Sequence, residues 1–506
     1  MARQRHRTAR GRKVTAIAGV LLFGTLTATA QSTGTGTGNP DSVTQQYANG
    51  GVYTGAMTGG KPDGFGTYTL PNGYEYSGDW VDGARTGHGT ANFVDGSVYE
   101  GAIVDGTPNG TGQIALLDGS VILGTWTDGV LSGPATATYA DGSVYQGDFV
   151  DNQRHGNGTW SRPDGYVYEG GWIDGMRSGA ATITYPDGST YEGEMLSDRR
   201  NGKGTMVMTD GFIYVGDWVE NQMGGFGRVT YANGDVYEGV LAQGQRHGNG
   251  KMTYANSDVY EGAFAADQRS GIGTFRGTDG YLYDGEWQGG QHQGKGRLVY
   301  PDGSIFEGNF AANLPQGAGR ITYPSGDSYS GNWVNGVIDG QGTSRRANGT
   351  VYTGGFVDGQ QQGQGTLVTA DGYSFEGNWD AGLRTGQGSV TYADGTTYTG
   401  GFQNDQFHGT GTLTVPDGMT YTGEWNDGAI TGTGVARYAT GDVYEGAFVD
   451  SKREGRGTLT YATGEVLSGI WTNGVLTEPD APATTAPDAP ATGATDPDTD
   501  PAETPE

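Results

Sequence analysis

The chain has 506 residues and a formal charge of −28, from 29 basic and 57 acidic side chains, and it contains no cysteine. That balance has the wrong sign for a nucleic-acid surface, which needs a basic footprint, so nucleic acid is excluded as a partner. Without cysteine there is no disulfide framework, no thiolate metal site and no lipoprotein anchor.

Taken in chain order, the first element is basic and then apolar. Arg3, Arg5, Arg7, Arg10, Arg12 and Lys13 precede the stretch from Val14 to Ala30, which ends in Ala28-Thr29-Ala30. A charged start, an apolar run and a small-x-small end are the layout of a secretory signal peptide. Residues 1–30 are therefore expected to direct export and to be cleaved; the other outcome is an uncleaved anchor, for which the run is marginal in length. The expected location is the periplasm or cell envelope of a bacterium. Loss of residues 1–30, which hold six basic and no acidic side chains, takes the charge from −28 to −34. Residues 31–48, with Thr33-Gly34-Thr35-Gly36, read as a flexible leader.

From residue 49 to 476 the chain repeats itself. Tyr53, Tyr76, Tyr99 and so on to Tyr444 recur every 23 residues without insertion or deletion, and only Ile122, Phe306, Phe375 and Leu467 replace the tyrosine. With the tyrosine as position zero, glycine stands at +2 in all nineteen copies, a large apolar residue at +4, and glycines at +11 and +13. Tyr76, Gly78, Trp80, Gly87 and Gly89 make one such set; Tyr168, Gly170 and Trp172, then Tyr237, Gly239, Gly248 and Gly250, and Tyr421, Gly423 and Trp425 make others. The second glycine of the pair becomes alanine at Ala135 and Ala181. Apolar residues follow at +15 and +17, as in Ile183 with Tyr185.

Offsets of two are strand alternation; a helix would need three and four. Between the second run of one unit and the first run of the next lies Asp95-Gly96, Asp141-Gly142, Asn233-Gly234 or Asp371-Gly372. This dipeptide favours the positive φ of a tight hairpin turn. The predicted fold is all-β: an elongated array of antiparallel β-hairpins, about 37 short strands in a single twisted sheet, with eighteen full repeats, a terminal strand around Leu467–Trp471 and solenoid-like stability. Glycines in phase with the aromatic positions have no turn to explain them. Tyrosine and tryptophan rings are expected to lie flat over these Cβ-free sites.

Within the array Trp80, Trp126, Trp172 and Trp218 lie 46 residues apart, as do Trp287, Trp333, Trp379, Trp425 and Trp471, with a slip of one repeat between the two sets. Ser257, the one loss of the turn glycine, falls in that slip, and a weak point is expected over 241–264. Residues 477–506 hold eight acidic residues and seven prolines with no basic side chain, and read as a disordered acidic tail.

The segments Tyr237-Glu238-Gly239 to Gly244-Gln245-Arg246-His247-Gly248-Asn249-Gly250 and Tyr444-Glu445-Gly446-Ala447-Phe448 resemble MORN repeats (membrane occupation and recognition nexus). The resemblance covers residues 49–476 and implies β-hairpin arrays that act as scaffolds, self-association surfaces or membrane-proximal tethers. The lysine that the family often carries before the paired glycines is missing here, as at Gln360-Gln361-Gln362, and Arg154, Arg199-Arg200 and Lys452-Arg453 read as scattered. Binding to anionic lipid is therefore not expected.

No catalytic constellation emerges. His88, His155, His247, His292 and His408 each sit in separate copies of the repeat, so no shared metal site is expected. Gly202-Lys203-Gly204 and Gly294-Lys295-Gly296 lack the Ser or Thr and the helix of a phosphate loop. The function this supports is a non-catalytic, cofactor-free exported scaffold that binds protein partners or a second copy of itself. Regular aromatic rings also suggest an envelope-glycan module, stacking sugars on Trp80, Trp126, Trp172, Trp218, Trp287, Trp333, Trp379 and Trp425; a membrane-surface tether is the third reading.

Overall fold

The structure, a computed structural model, describes residues 42–480. The signal segment, the start of the leader and the chain beyond 480 lie outside the described residues. Within them are thirty-nine strands and no helix, numbered β1 (Ser42–Gln46) to β39 (Val475–Pro479). They group into two compact units: residues 42–119 with 126–129, and residues 120–125 with 130–480. In the first unit β1 to β7 (Thr107–Ala115) pair in succession, all antiparallel. In the second, β9 (Val130–Thr138) to β39 do the same, as in β12 (Val167–Ile173), β13 (Met176–Thr184) and β14 (Thr190–Leu196). The all-β array of antiparallel hairpins expected from the repeat is the fold.

Paired strands reach further than the repeat frame at both ends. Ser42–Gln46, inside the leader expected to be flexible, pairs with β2 (Val52–Thr58). Val475–Pro479, which crosses the expected start of the tail, pairs with β38 (Val466–Thr472), so the strand at Leu467–Trp471 is not the terminal one. Both additions use the backbone donors and acceptors of an otherwise open edge, which needs no repeat signature in the added strand.

Each unit has two different connections, and the sequence reading placed the tightest turn in the wrong one. At Asp95-Gly96 only the glycine has positive φ, and Gly96 N–H donates to Phe93 O at 3.0 Å while Phe93 N–H donates to Ser97 O. That is a type I turn closed by a glycine bulge, and the Asp95 carboxylate accepts from Ser97 N–H at 2.9 Å. The two-residue turn with both φ positive sits instead between the two strands of one hairpin, as at Asp82 (49°) and Gly83 (89°). Ser257 takes φ of 72° where other copies have glycine, and the strands on either side of it keep the ordinary register.

The second strand of each hairpin is longer than the first, nine residues against seven, as in Met176–Thr184 against Val167–Ile173. The excess is absorbed in a bulge. Gly170 faces Ala181 and Trp172 faces Arg177, so one residue on the first strand opposes three on the second. The glycine at +11 makes the bend: Gly87 has φ of 121°, Gly179 of 89° and Gly248 of 58°, a region in which a side chain is strained.

The glycines at +2 and +13 have a different role, that of close approach. A Cβ on Gly193 would lie 2.5 Å from the Gly204 Cα and 2.6 Å from the Lys203 carbonyl oxygen, and one on Gly250 would lie 2.5 Å from the Tyr237 ring. We therefore expect Gly193→Val to cost about 3 kcal/mol by overpacking, and Glu192→Ala, at the exposed neighbouring position, to change stability by less than about 0.5 kcal/mol. Paired urea denaturation curves of the two variants check this; equal losses would show that the glycine contact carries no weight.

Candidate interaction surface

Side chains at 0, +4, +9 and +15 share one face of the strands, and rings fill it. Tyr76, Tyr168, Tyr237 and Tyr421 are wholly buried. The Tyr76, Tyr237 and Tyr421 rings cover the +13 glycine of the paired strand, and in all four units the hydroxyl donates to the carbonyl of the bulged +3 residue: Tyr76 to Asp79 at 2.9 Å, Tyr168 to Gly171 at 2.6 Å, Tyr237 to Val240 at 2.7 Å and Tyr421 to Glu424 at 3.2 Å. Burial pushes the Tyr76 and Tyr237 hydroxyls up to about 12, and those of Tyr168 and Tyr421 are raised as well. The phenols thus stay neutral donors at any physiological pH.

The tryptophans at +4 stand edge-on against the position-zero rings, in most units between two tyrosines. Trp172 meets Tyr168 of its own unit at 5.2 Å and Tyr145 of the preceding one at 5.3 Å, interplanar angles 80° and 81°. Trp425 meets Tyr421 and Tyr398 in the same way. Their indole N–H groups donate backwards to the carbonyl of the previous +13 glycine: Trp80 to Gly66 at 3.1 Å, Trp126 to Gly112 at 3.3 Å, Trp218 to Gly204 at 3.2 Å, Trp287 to Gly273 at 2.9 Å.

This overturns the exposed-ring reading of the tryptophans. Trp80, Trp126, Trp172, Trp218, Trp287, Trp333, Trp379 and Trp425 are each at most 7% exposed, so none offers a face on which a sugar could stack. The physical reason is that edge-to-face packing on the position-zero rings and the bond to a glycine carbonyl use both the ring and its only polar atom. The expectation of flat rings over glycine describes the tyrosines; the tryptophans are upright.

The +9 residue lies across the same rings and was missed as a set. Arg154, Arg200 and Arg453 are not scattered: with Arg85, Arg177, Arg246, Arg269 and Arg384 they occupy one register position. Arg154, Arg200 and Arg269 hold their guanidinium carbons 4.2 Å from the Trp172, Trp218 and Trp287 rings. Arg177, Arg246 and Arg384 are bound by Asp198, Asp267 and Asp405 in the next turn. The 23-residue spacing of these arginines was visible, but proline, methionine, isoleucine and other residues interrupt it. Stacking on rings and pairing with carboxylates keeps the charges within the array.

His292 and Phe407 stand at that position too. His292 is stacked on Tyr283 with centroids 3.6 Å apart, and Phe407 on Tyr398 at 3.7 Å. His292 is 6% exposed, its Nδ1 has no hydrogen-bond partner, and desolvation with the nearby Arg269 charge takes its pKa down to about 4. A depressed histidine stabilises the fold fully above its unfolded value of about 6.5 and loses that contribution as pH falls towards 4, because the unfolded chain binds the proton more readily. The account expects His292→Phe, which copies Phe407, to lose less melting temperature between pH 7 and pH 5 than the parent chain. Matched thermal scans at the two pH values check it, and an identical acid loss in both proteins would contradict it.

The opposite face, at +1, +3, +12 and +14, is the one left to solvent. Across it runs a ladder of directly opposed polar pairs. Thr67 and Ser77 hydroxyls are 3.1 Å apart, Thr412 and Thr422 3.0 Å, and Arg228 reaches Glu238 at 2.9 Å and Arg297 reaches Glu307 at 3.4 Å. Phe65, Phe226 and Ile272, all at +12, are 63 to 66% exposed beside this ladder. A groove of about 900 Å³ lies here, lined by Glu169, Glu192, Glu194, Lys203, Phe226 and Arg228. Among the described residues no three His, Asp or Glu side chains converge as a metal-binding group, and no helix is long and apolar enough to cross a membrane.

A protein built this way is a repeat protein: hairpin on hairpin, with the rings at positions zero and +4 spent internally and one repetitive, mostly polar face outward. The MORN repeat family model matches it in seventeen segments between residues 53 and 466, covering more than half of the chain and passing over 99–122. The chain belongs to the MORN repeat family. No curated protein matches it. Solved structures that align with it include the TCP domain of Drosophila melanogaster SAS-4 (dCPAP) in complex with a proline-rich motif of Ana2 (16% identity, 34% of this chain and 86% of that one, TM-score 0.21). Others are the TCP10 domain of Danio rerio CPAP with a STIL peptide (15%, 57% and 98%, TM-score 0.15) and a streptogramin B lyase (13%, 58% and 91%, TM-score 0.11). At these TM-scores no argument is drawn from them. MORN repeats point to a role in protein interaction or membrane association.

Proposed function

We propose that this chain is a non-catalytic exported scaffold, which presents its solvent-side ladder to protein partners or to a second copy of itself. The observation that carries the reading is the division of labour between the two faces. The rings that could have bound sugars are interior, whereas the outward face repeats hydroxyl pairs, Arg–Glu pairs and isolated apolar side chains such as Phe226. Fixed, alternating polar groups with a few apolar anchors suit a polypeptide surface better than a lipid headgroup layer. Export rests on the basic and apolar start of the sequence, and the net charge of −28 favours solubility over adhesion to anionic membranes.

The test places a photo-crosslinking amino acid at Phe226 and Glu192 on the outward face, and at buried Leu298 as a control, in the native host. Discrete polypeptide adducts at the first two positions and none at Leu298 are expected. Absence of adducts together with pelleting of the purified chain on cell-wall sacculi or on liposomes would replace the scaffold reading with a glycan or membrane one.

A further inference from the structure

The repeat is broken in one place by a small polar residue in a row that is otherwise apolar, with further polar residues beside it. Among the eighteen residues at +15, from Tyr68 to Leu459, Ser344 is the one polar side chain. Next to it Gln361 occupies +9, where flanking units have Ile338, Arg384 and Phe407. Arg346 and Thr369 occupy +17, where the units to either side carry Tyr323 and Tyr392. Only the +15 row is otherwise kept apolar, since +9 carries arginine in eight units and +17 carries Arg162 in another, and these residues line a single cavity of about 800 Å³. Polar residues inside an otherwise consistent apolar row lower stability, and such violations concentrate at functional sites.

The cavity lies on the ring side of the strands, between the five-residue loops and the +9 row. Grooves of about 690 and 740 Å³ occur at equivalent places in other units, but their floors are Phe275 with Trp287, and Val229, Leu241 and Met252. Here the floor is Ser344 and Leu367. The matching leucines Leu298, Leu413 and Leu459 are at most 7% exposed, whereas Leu367 is only half-buried in the unit that follows Ser344. The side chains of Ser344, Gln361, Arg346 and Thr350 make no hydrogen bond or ion pair among the described residues, while Arg384 beside them is fully engaged by Asp405 and Tyr373. Asp371 and Asp394 stand at the rim, accepting from Thr369 and Thr396 with oxygen lone pairs to spare.

We propose that this cavity binds a short neutral saccharide of two or three rings. Its volume lies in the range of small-ligand pockets, and its lining combines an apolar patch with a few convergent polar groups. A sugar hydroxyl both donates and accepts. It is therefore matched to a wall that offers free donors on Arg346 and Gln361 and free acceptors on Asp371 and Asp394. An anion would meet both of those carboxylates, with Arg346 as the one cation not already paired in the cavity, so the ligand is neutral. Leu367 and the flank of Tyr392 supply the apolar surface for the C–H face of a ring. The indoles play no part: Trp379 stays 6% exposed beneath the site. This is a local site in one unit, separate from the outward face assigned to partners.

Saturation-transfer NMR and calorimetry on the exported chain test it, with cellotriose, triacetylchitotriose and maltotriose as probes and trigalacturonate as the charged comparison. At least one neutral trisaccharide is expected to bind with a millimolar or tighter Kd. Ser344→Leu, which restores the apolar residue of the other units, is expected to weaken that binding by about tenfold or more with an unchanged or raised melting temperature. Gln361→Ala, which removes only a donor–acceptor group, is expected to weaken it as well. No transfer from any neutral probe, full affinity in both variants, or tighter binding of trigalacturonate would each overturn the proposal.

Discussion

The structure depends on one contact, a tyrosine ring laid over a glycine with its hydroxyl capping a carbonyl. The hairpin carries a bulge at +3 that takes one backbone carbonyl out of the ladder, and the phenol at zero is the group that satisfies it. The same ring lies close over the +13 position, where glycine is the rule and alanine the largest residue found, and the close pairing of backbones accounts for the glycine at +2. A buried carbonyl left unpaired costs about 1–3 kcal/mol, so the bulge, the tyrosine and the two glycines form one device. Phe306 and Phe375 keep the ring and give up the cap, and both remain fully buried.

Everything else is propagation. A hairpin alone is marginal in water, and no unit here has a core of its own. The +4 ring supplies the coupling, because it packs edge-on against the position-zero rings of its own and the preceding unit, and where it is tryptophan it also bonds to a glycine carbonyl of the unit before. Edge-to-face pairs contribute about 0.5–1.5 kcal/mol each, and here they recur at almost every junction. Stability is thereby handed from neighbour to neighbour. The +9 side chain closes the stack from above, as arginine over tryptophan or as a flat ring over tyrosine, and His292 is the one member whose fit depends on pH.

Much of this was readable in the amino-acid sequence. The 23-residue frame, the strand alternation and the sharing of one face by Gly248, Gly250 and Met252 follow from spacing alone, since a side-chain period of two admits one face assignment. Three features did not follow. Asp82-Gly83 and Asp95-Gly96 are both turn dipeptides, and only the backbone shows that the former carries two positive φ angles and the latter one. The bulge is invisible because it changes which residues face each other without changing composition. The tryptophans were misjudged because a row of rings at even offsets reads the same whether it faces solvent or a neighbour; the indole bond to the preceding glycine carbonyl decides it. Ser344 was plain in the sequence as a letter, but its meaning required knowing that +15 is floor.

The division between an interior ring face and an outward polar ladder is the claim on which the functional reading rests. The most direct measurement is tryptophan fluorescence of the purified chain with acrylamide as quencher. Trp172, Trp218, Trp287 and Trp425, at most 4% exposed, should emit at short wavelength and resist quenching, with only half-buried Trp160 giving an accessible fraction. Emission at the wavelength of free tryptophan, with quenching of most of the signal, would show the rings open to solvent and contradict the account.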